Sequence, residues 1–272
     1  MTYDEVVLVL RTAGCVFAED EARLLLEAPD DLESLLERRV AGEPLEQVLG
    51  WVDFAGVRVR LDPGVFVPRQ RTALIVDEAE RLLTGVPQPR VVDLCCGSGA
   101  IGLALAARLG GLRLLASDVE AAAVRCARRN LRDVGAEVLE SDLFDSLPAS
   151  WRGEVQVVTC NVPYVPTAAI ASMPPEAREH EPRVTLDGGP DGLDVLRRVA
   201  AQAGAWLVPG GSLLVEVGAS QVAAASEAFV RAGLAPRVVR HDEAGAIVLV
   251  GSSTQSRNAS TTAANRGEEQ IE

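Results

Sequence analysis

Apolar and polar positions change their period three times along the chain. Residues 4–13, 19–27 and 31–40 set apolar side chains at helical spacing among charged ones, which predicts three short amphipathic helices. Residues 51–61 alternate on both sides of Ala55-Gly56, the pattern of a β-hairpin. Asp62-Pro63-Gly64 turns the chain, and residues 65–69 lead into a helix predicted from about Thr72 to residue 83. On that helix Asp77 and Glu78 share a face and are expected in solvent. From residue 90 onward, predicted strands at 90–94, 112–117, 136–140, 155–160 and 211–217 alternate with helices at 100–109, 120–133, 193–207 and 221–232. Two closing strands, 236–240 and 246–250, are expected as an antiparallel pair at the sheet's edge. Regular β–α alternation predicts a mostly parallel sheet covered on both faces, with binding at the carboxyl ends of its strands.

The candidate chemistry collects at those ends. Val91-Val92-Asp93-Leu94-Cys95-Cys96-Gly97-Ser98-Gly99 is a strand, an acid and a glycine-rich turn that opens a helix. Such a turn lets a ligand approach the backbone, and the following helix N-terminus presents unpaired N–H groups. Asp118 ends the next strand about 20 residues later, where Rossmann-like folds place a ribose-binding acid. The turn lacks the third glycine of the dinucleotide fingerprint and has no basic cluster for a pyrophosphate. A ligand with a ribose and no phosphates fits better, and S-adenosylmethionine is such a ligand. Asp93, Asp118, Asp142 and Asn161 all fall at the ends of consecutive predicted strands.

Composition narrows the partners. A formal net charge of −13 argues against a surface built for nucleic acid, and the absence of lysine excludes Schiff-base chemistry and a P-loop lysine. The 5 cysteines show neither zinc spacing nor a secreted disulfide framework, so reduced thiols in a cytoplasmic protein are expected, with Cys95 packed beside the cofactor site. No metal site, signal peptide or membrane span is read from the chain. The sequence divides into a helical module (1–41), a linker with a hairpin (42–68), a catalytic domain (69–251) and a tail expected to be disordered (252–272).

Gly42-Glu43-Pro44-Leu45, Val67-Pro68-Arg69, Asp93 with Gly97-Ser98-Gly99, Asn161-Val162-Pro163-Tyr164 and Glu181-Pro182-Arg183 followed by Gly188-Gly189 occur in an order that resembles the HemK/PrmC group of release-factor glutamine N5-methyltransferases. The resemblance implies a Rossmann-like class I methyltransferase that uses S-adenosylmethionine on the glutamine of a Gly-Gly-Gln motif in a peptide-chain release factor. It also implies that Asp93 and the Gly97–Gly99 turn hold the methionine part and ribose, Asp118 the ribose hydroxyls, and Asp142 the adenine end. Asn161 to Tyr164 would form the catalytic loop, with Asn161 also facing the cofactor and Phe66 and Arg69 on the substrate side. The long insertion at 165–190, which carries Glu181-Pro182-Arg183, is expected to cover the substrate. Three departures stand out. Val162 occupies the place of the first of the family motif's two prolines, Ala73 that of an acid, and only about 41 residues precede Glu43, fewer than the family's helical recognition domain.

The loop's residue types suit an amide acceptor. The nitrogen of a carboxamide is a poor nucleophile, and no strong base stands beside the motif. The Asn161 side-chain oxygen and the Val162 carbonyl can each accept one N–H of a planar NH₂ group and so orient it. The same loop would fit the exocyclic amine of adenine, which leaves an N6-adenine methyltransferase as an alternative. A methyltransferase fold that serves only as an interaction module is a second one. His180 and His241 are expected at the surface or in loops.

Overall fold

The protein is described here by a computed structural model covering residues 1–254; the tail expectation lies outside the described residues from 255 onward. Three helices open the chain: α1 (Tyr3–Thr12), α2 (Ala18–Glu27) and α3 (Leu32–Val40). Thr2 and Glu5 form a capping box on α1, and Asp31 caps α3 by accepting from the Ser34 amide. A fourth helix, α4 (Leu45–Leu49), is added by the structure. Pro44 starts it and Gly50 ends it after a single turn and a half, too short a run to show a period. Its Val48 closes a small core with Val6, Leu10, Leu25, Leu35 and Leu36, so this front module carries apolar packing of its own.

The module's polar faces are not all in solvent. Arg39 and Glu21 are both 7% exposed and meet through two hydrogen bonds of 2.7 and 3.1 Å. Arg39 also donates to the Glu43 carbonyl and, at 2.8 Å, to Glu176 far along the chain. Removing one partner of a buried pair leaves an uncompensated charge, which typically costs about 3–5 kcal/mol. Arg39→Leu is therefore expected to lower the urea midpoint by a cost of that order. A loss below about 1 kcal/mol would mean that Glu21 regains water and the pair is not structural.

The hairpin is β1 (Trp51–Phe54) and β2 (Val57–Arg60), joined by Ala55 and Gly56, both at positive φ, a turn whose twist matches the strands. A 3₁₀ turn at Gln70–Thr72 precedes α5 (Ala73–Leu83). Glu78 on α5 is buried rather than solvated, because Arg81 and Arg237 both donate to its carboxylate. Asp77 does lie outside, paired with Arg108.

Then follow β3 (Arg90–Leu94), α6 (Ala100–Arg108), β4 (Arg113–Asp118), α7 (Ala121–Asn130), β5 (Glu137–Glu140) and β6 (Val155–Cys160). After a short helix in the insertion, α8 (Pro175–His180), come α9 (Asp194–Ala203), β7 (Leu207–Glu216), α10 (Val222–Arg231), β8 (Leu234–His241) and β9 (Ala246–Ser253). Strand β9 continues through Ser252 and Ser253, two residues past the expected end of the domain. The large sheet has the order β5-β4-β3-β6-β7-β9-β8, parallel from β5 to β7 and antiparallel at β9 and β8. The fold is thus the Rossmann-like α/β arrangement that the alternation predicts.

Apolar strands such as Val91-Val92 and Val157-Val158 are buried because helices cover both faces. One face packs α9, α10, Trp151 and the stacked rings of Phe144 and Trp206. The other packs α5, α6, α7 and the hairpin through Val52, Phe54 and Val59. Register brings the working ends level, since Leu94 pairs with Cys160 and Cys160 with Val215. Cys95, Asn161 and Glu216 therefore stand side by side where β3, β6 and β7 end.

Candidate active site

A cavity of about 350 Å³ opens across these strand ends. Its floor is the turn after β3, its ends carry Asp118 and Asp142, and its far wall is the segment from Asn161 to Val165. The insertion closes it with Met173 and residues 184–187, while Phe54, Phe66, Arg69 and Arg71 enter from the linker side.

The glycine-rich turn has the shape its composition demands. Gly97 lines the cavity at φ +55°, and a Cβ placed there would meet nothing within 4 Å. Asp118 fixes the turn by accepting from the Gly97 amide at 2.9 Å, and it accepts from the Glu120 amide at the same distance. Burial raises its pKa above the usual carboxylate range, against the pull of those donors. Ser98 lines the cavity with a buried hydroxyl oxygen that has no partner.

Two residues assigned to the cofactor by resemblance do not reach the cavity. Asp93 is fully buried one residue before the end of β3, with its oxygens taken by the Gly102 amide (3.2 Å) and the Thr159 hydroxyl (2.8 Å). Burial pushes its carboxyl up to about 7. Asp93 thus ties α6 and β6 to β3 beneath the turn. Gly99 faces helix α7, where a Cβ would stand 3.0 Å from the Leu131 side chain. Cys95 and Cys96 both line the cavity and Cys160 does not; Cys96 and Cys160 are buried, and burial raises both thiols well above their ordinary value. They are packing residues and poor thiolates.

The loop after β6 is held from behind. Tyr164 donates its hydroxyl to Glu216 at 2.9 Å and accepts from Arg71 at 2.5 Å. Gln221 donates to the Tyr164 and Asp191 carbonyls. Gly188 and Gly192 pass so close that a Cβ on either would lie 2.6 Å from the Pro163 oxygen or 2.2 Å from the Tyr164 oxygen. Asn161 lines the cavity, and its carboxamide oxygen is buried and has no hydrogen-bond partner. The Val162 side chain is sunk in the core, and its carbonyl takes no hydrogen bond from the described residues.

Each cavity arginine has an acidic partner. Arg69 pairs with Glu181, which also accepts from the Val67 amide, and its guanidinium lies 5.1 Å from the Phe66 ring centre. Burial raises the Glu181 pKa, with Arg69 opposing. Arg71 pairs with Glu216 and Arg198 with Asp142. Sequence reasoning missed Arg71, Glu216, Ser141 and Arg198. Glu216 ends β7, one residue short of the predicted strand's end, so the rule that singled out Asp118 and Asn161 also points to it. His180 and His241 are absent from the cavity lining. Among the described residues no helix is long and apolar enough to cross a membrane, and no cluster fit to hold a metal is found.

The fold, the turn and the acid at the end of β4 define a class I methyltransferase. The family described as methyltransferase small domain matches residues 56–173. A "release factor glutamine methyltransferase" of Bradyrhizobium diazoefficiens is 38% identical over 204 residues, 74% of this chain and 69% of the relative. The chain belongs to the release factor glutamine methyltransferase family. A "4-amino-L-phenylalanine/4-methylamino-L-phenylalanine methyltransferase" of Streptomyces pristinaespiralis is also similar, at 37% over 223 residues and 76% of either chain. Among solved structures, a 16S rRNA N2 G1207 methyltransferase of T. thermophilus in complex with AdoMet and guanosine has a TM-score of 0.55 at 22% identity, covering 75% of this chain and 49% of that one. This protein is accordingly an S-adenosylmethionine-dependent methyltransferase.

Proposed function

We propose that the protein N5-methylates a glutamine side-chain amide within a protein, a peptide-chain release factor in the first instance. The observation that carries this reading is the Asn161 carboxamide oxygen, an acceptor buried in the cavity wall with nothing to accept from. A buried acceptor without a donor costs free energy, and an NH₂ group from the substrate would remove that cost. Asn161 takes one N–H of the amide and the Val162 carbonyl the other. The two contacts orient the amide nitrogen, hold its proton count at two during attack, and favour the positive charge that develops on it. Pro163 stiffens the loop and Tyr164 walls it.

Bound S-adenosylmethionine supplies an activated methyl group. The residues present suit it: open space over Gly97, the unpaired Ser98 hydroxyl, and two carboxylates at the strand ends. Gly97, Ser98, Asp118 and Asp142 would hold it, with Cys95 packed alongside, and Phe66 and Arg69 would contact the acceptor chain. Asp118→Ala removes the charge-assisted hydrogen bond that holds the Gly97 turn, together with the one from the Glu120 amide, so cofactor affinity is expected to fall about 10- to 100-fold by calorimetry. Because burial raises the Asp118 pKa, affinity in the parent should begin to fall, as pH drops, earlier than an exposed aspartate would cause. Unchanged affinity in Asp118→Ala would remove Asp118 from the cofactor site.

The paired arginines support an uncharged acceptor. A free amino acid brings a carboxylate and a nucleic acid brings phosphates, and each cavity arginine already faces an acid. Termination of translation is a cytoplasmic process, which agrees with the free cysteines. The test is transfer from radiolabelled S-adenosylmethionine to a purified release factor, its Gln→Ala variant, 4-amino-L-phenylalanine, duplex DNA and RNA. Label on the wild-type factor alone supports the proposal. Label on the amino acid or the nucleic acids instead overturns it.

A further inference from the structure

Four hydrogen bonds converge behind the acceptor loop, and none of them involves a residue so far given a role in holding cofactor or acceptor except Tyr164. Glu216, the last residue of β7, is 2% exposed. One of its oxygens accepts from the Arg71 Nε at 2.8 Å and from the Tyr164 hydroxyl at 2.9 Å. The other accepts from the Thr72 hydroxyl at 2.6 Å. Arg71 closes the figure by donating an Nη2 hydrogen to the phenol oxygen. The network joins three separate segments: the end of β7, the 3₁₀ turn before α5, and the loop after β6.

We propose that Glu216 and Arg71 are positioning residues for methyl transfer, setting the Tyr164 ring and through it the orientation of the Asn161 and Val162 acceptors. The geometry allows one arrangement. The phenol has a single hydrogen to give, and Glu216 receives it; Arg71 then fills an oxygen lone pair. Swinging the ring aside would strand a buried carboxylate with one donor fewer and break the contact to the guanidinium, so the ring has nowhere else to go. Only Val162 and Pro163 lie between Asn161 and Tyr164, and Pro163 transmits rather than absorbs a rotation. Burial and the Glu216 charge push the Tyr164 hydroxyl up to about 12, with Arg71 opposing, so it remains a donor at any working pH.

The proposal rests on the reading of this loop as the acceptor site, and its test has one arm that does not. In steady state, Glu216→Gln and Tyr164→Phe should each lower kcat about 10- to 100-fold while cofactor affinity stays within about three-fold. The double variant should be no worse than the poorer single one, because both cut the same tie. Multiplying effects would overturn the proposal. The second arm is the ionisation of Tyr164, followed by the NMR signal of ¹³C-labelled tyrosine. The chain has only 2 tyrosines, so a Tyr3→Phe background isolates it. Loss of the Glu216 charge leaves burial opposed by Arg71, so the tyrosine should then ionise at a lower pH than in the parent. An unmoved midpoint in Glu216→Gln would show that the contact is not made in solution. Should Glu216→Gln fail to fold, Arg71→Gln replaces it, with the same kcat loss and a midpoint moved the other way, upward. A release factor that takes no label, with the titration behaving as stated, would fault the acceptor assignment and leave the network standing.

Discussion

Asn161→Ala should lower kcat by about 10²–10³-fold or more, the cost of deleting one preorganised polar contact at the reacting group. Cofactor affinity should change by less than about three-fold, because the turn after β3 and Asp118 lie on other strands. The side chain lost is small and its carboxamide oxygen is already without a partner, so the folded state gives up little. The thermal midpoint should therefore hold or rise slightly. Single-turnover rates and calorimetry on the same preparation separate the two effects. Full turnover in Asn161→Ala would dismiss the amide clamp, and a loss confined to cofactor affinity would move Asn161 to the cofactor side.

Gly192→Ala should be nearly as damaging from a place that touches no substrate. Gly192 sits at φ +76°, and an added methyl would stand 2.2 Å from the Tyr164 carbonyl oxygen and 2.4 Å from the Gln221 amide nitrogen. The left-handed conformation alone costs roughly 1–2 kcal/mol for a residue with a Cβ. The collision adds the larger effect, since the loop must retreat, and a displacement near 1 Å of a reacting geometry costs on the order of 10²-fold in rate. Gly64 provides the control. It has φ +75° and nothing within 4 Å, so Gly64→Ala carries the backbone strain without the collision. Loss of stability in both variants with loss of kcat in Gly192→Ala alone is the expected result. Equal kcat in the two would mean that the loop does not lean on Gly192.

The alternation of apolar strands and helices from residue 90 onward was open to reading because burial on two faces leaves unbroken apolar runs, Val91-Val92 and Val157-Val158 among them. Asp118 and the Asn161 loop were legible by the same logic, as polar residues where those runs stop. Asp93 misleads that rule by one position. It pairs in register with Thr159 inside the sheet, so its carboxylate meets the neighbouring strand instead of the cavity. Glu78 reads as solvated because it shares a helical face with Asp77, while Arg237, one of the two arginines that pair with it, comes from the other end of the chain. Helix α4 is shorter than any window in which a period can be counted. The acceptor side was the least legible part. Its walls come from the linker, the insertion and two strand ends, and only the folded chain brings Arg69 to Glu181 or Arg71 to Glu216.

The salt bridge from Arg39 to Glu176 bears on how such an enzyme could be given a new target. Helix α8 holds Glu176 within it and is followed directly by Glu181, which grips Arg69 at the cavity. The front module is thus clasped to the roof of the reaction chamber, and a foreign module spliced on near residue 42 would arrive without the matching cation. Grafts that carry an arginine into register with Glu176 should keep the roof in place, and grafts that lack it should leave an enzyme that still binds its methyl donor but has lost the frame around its acceptor.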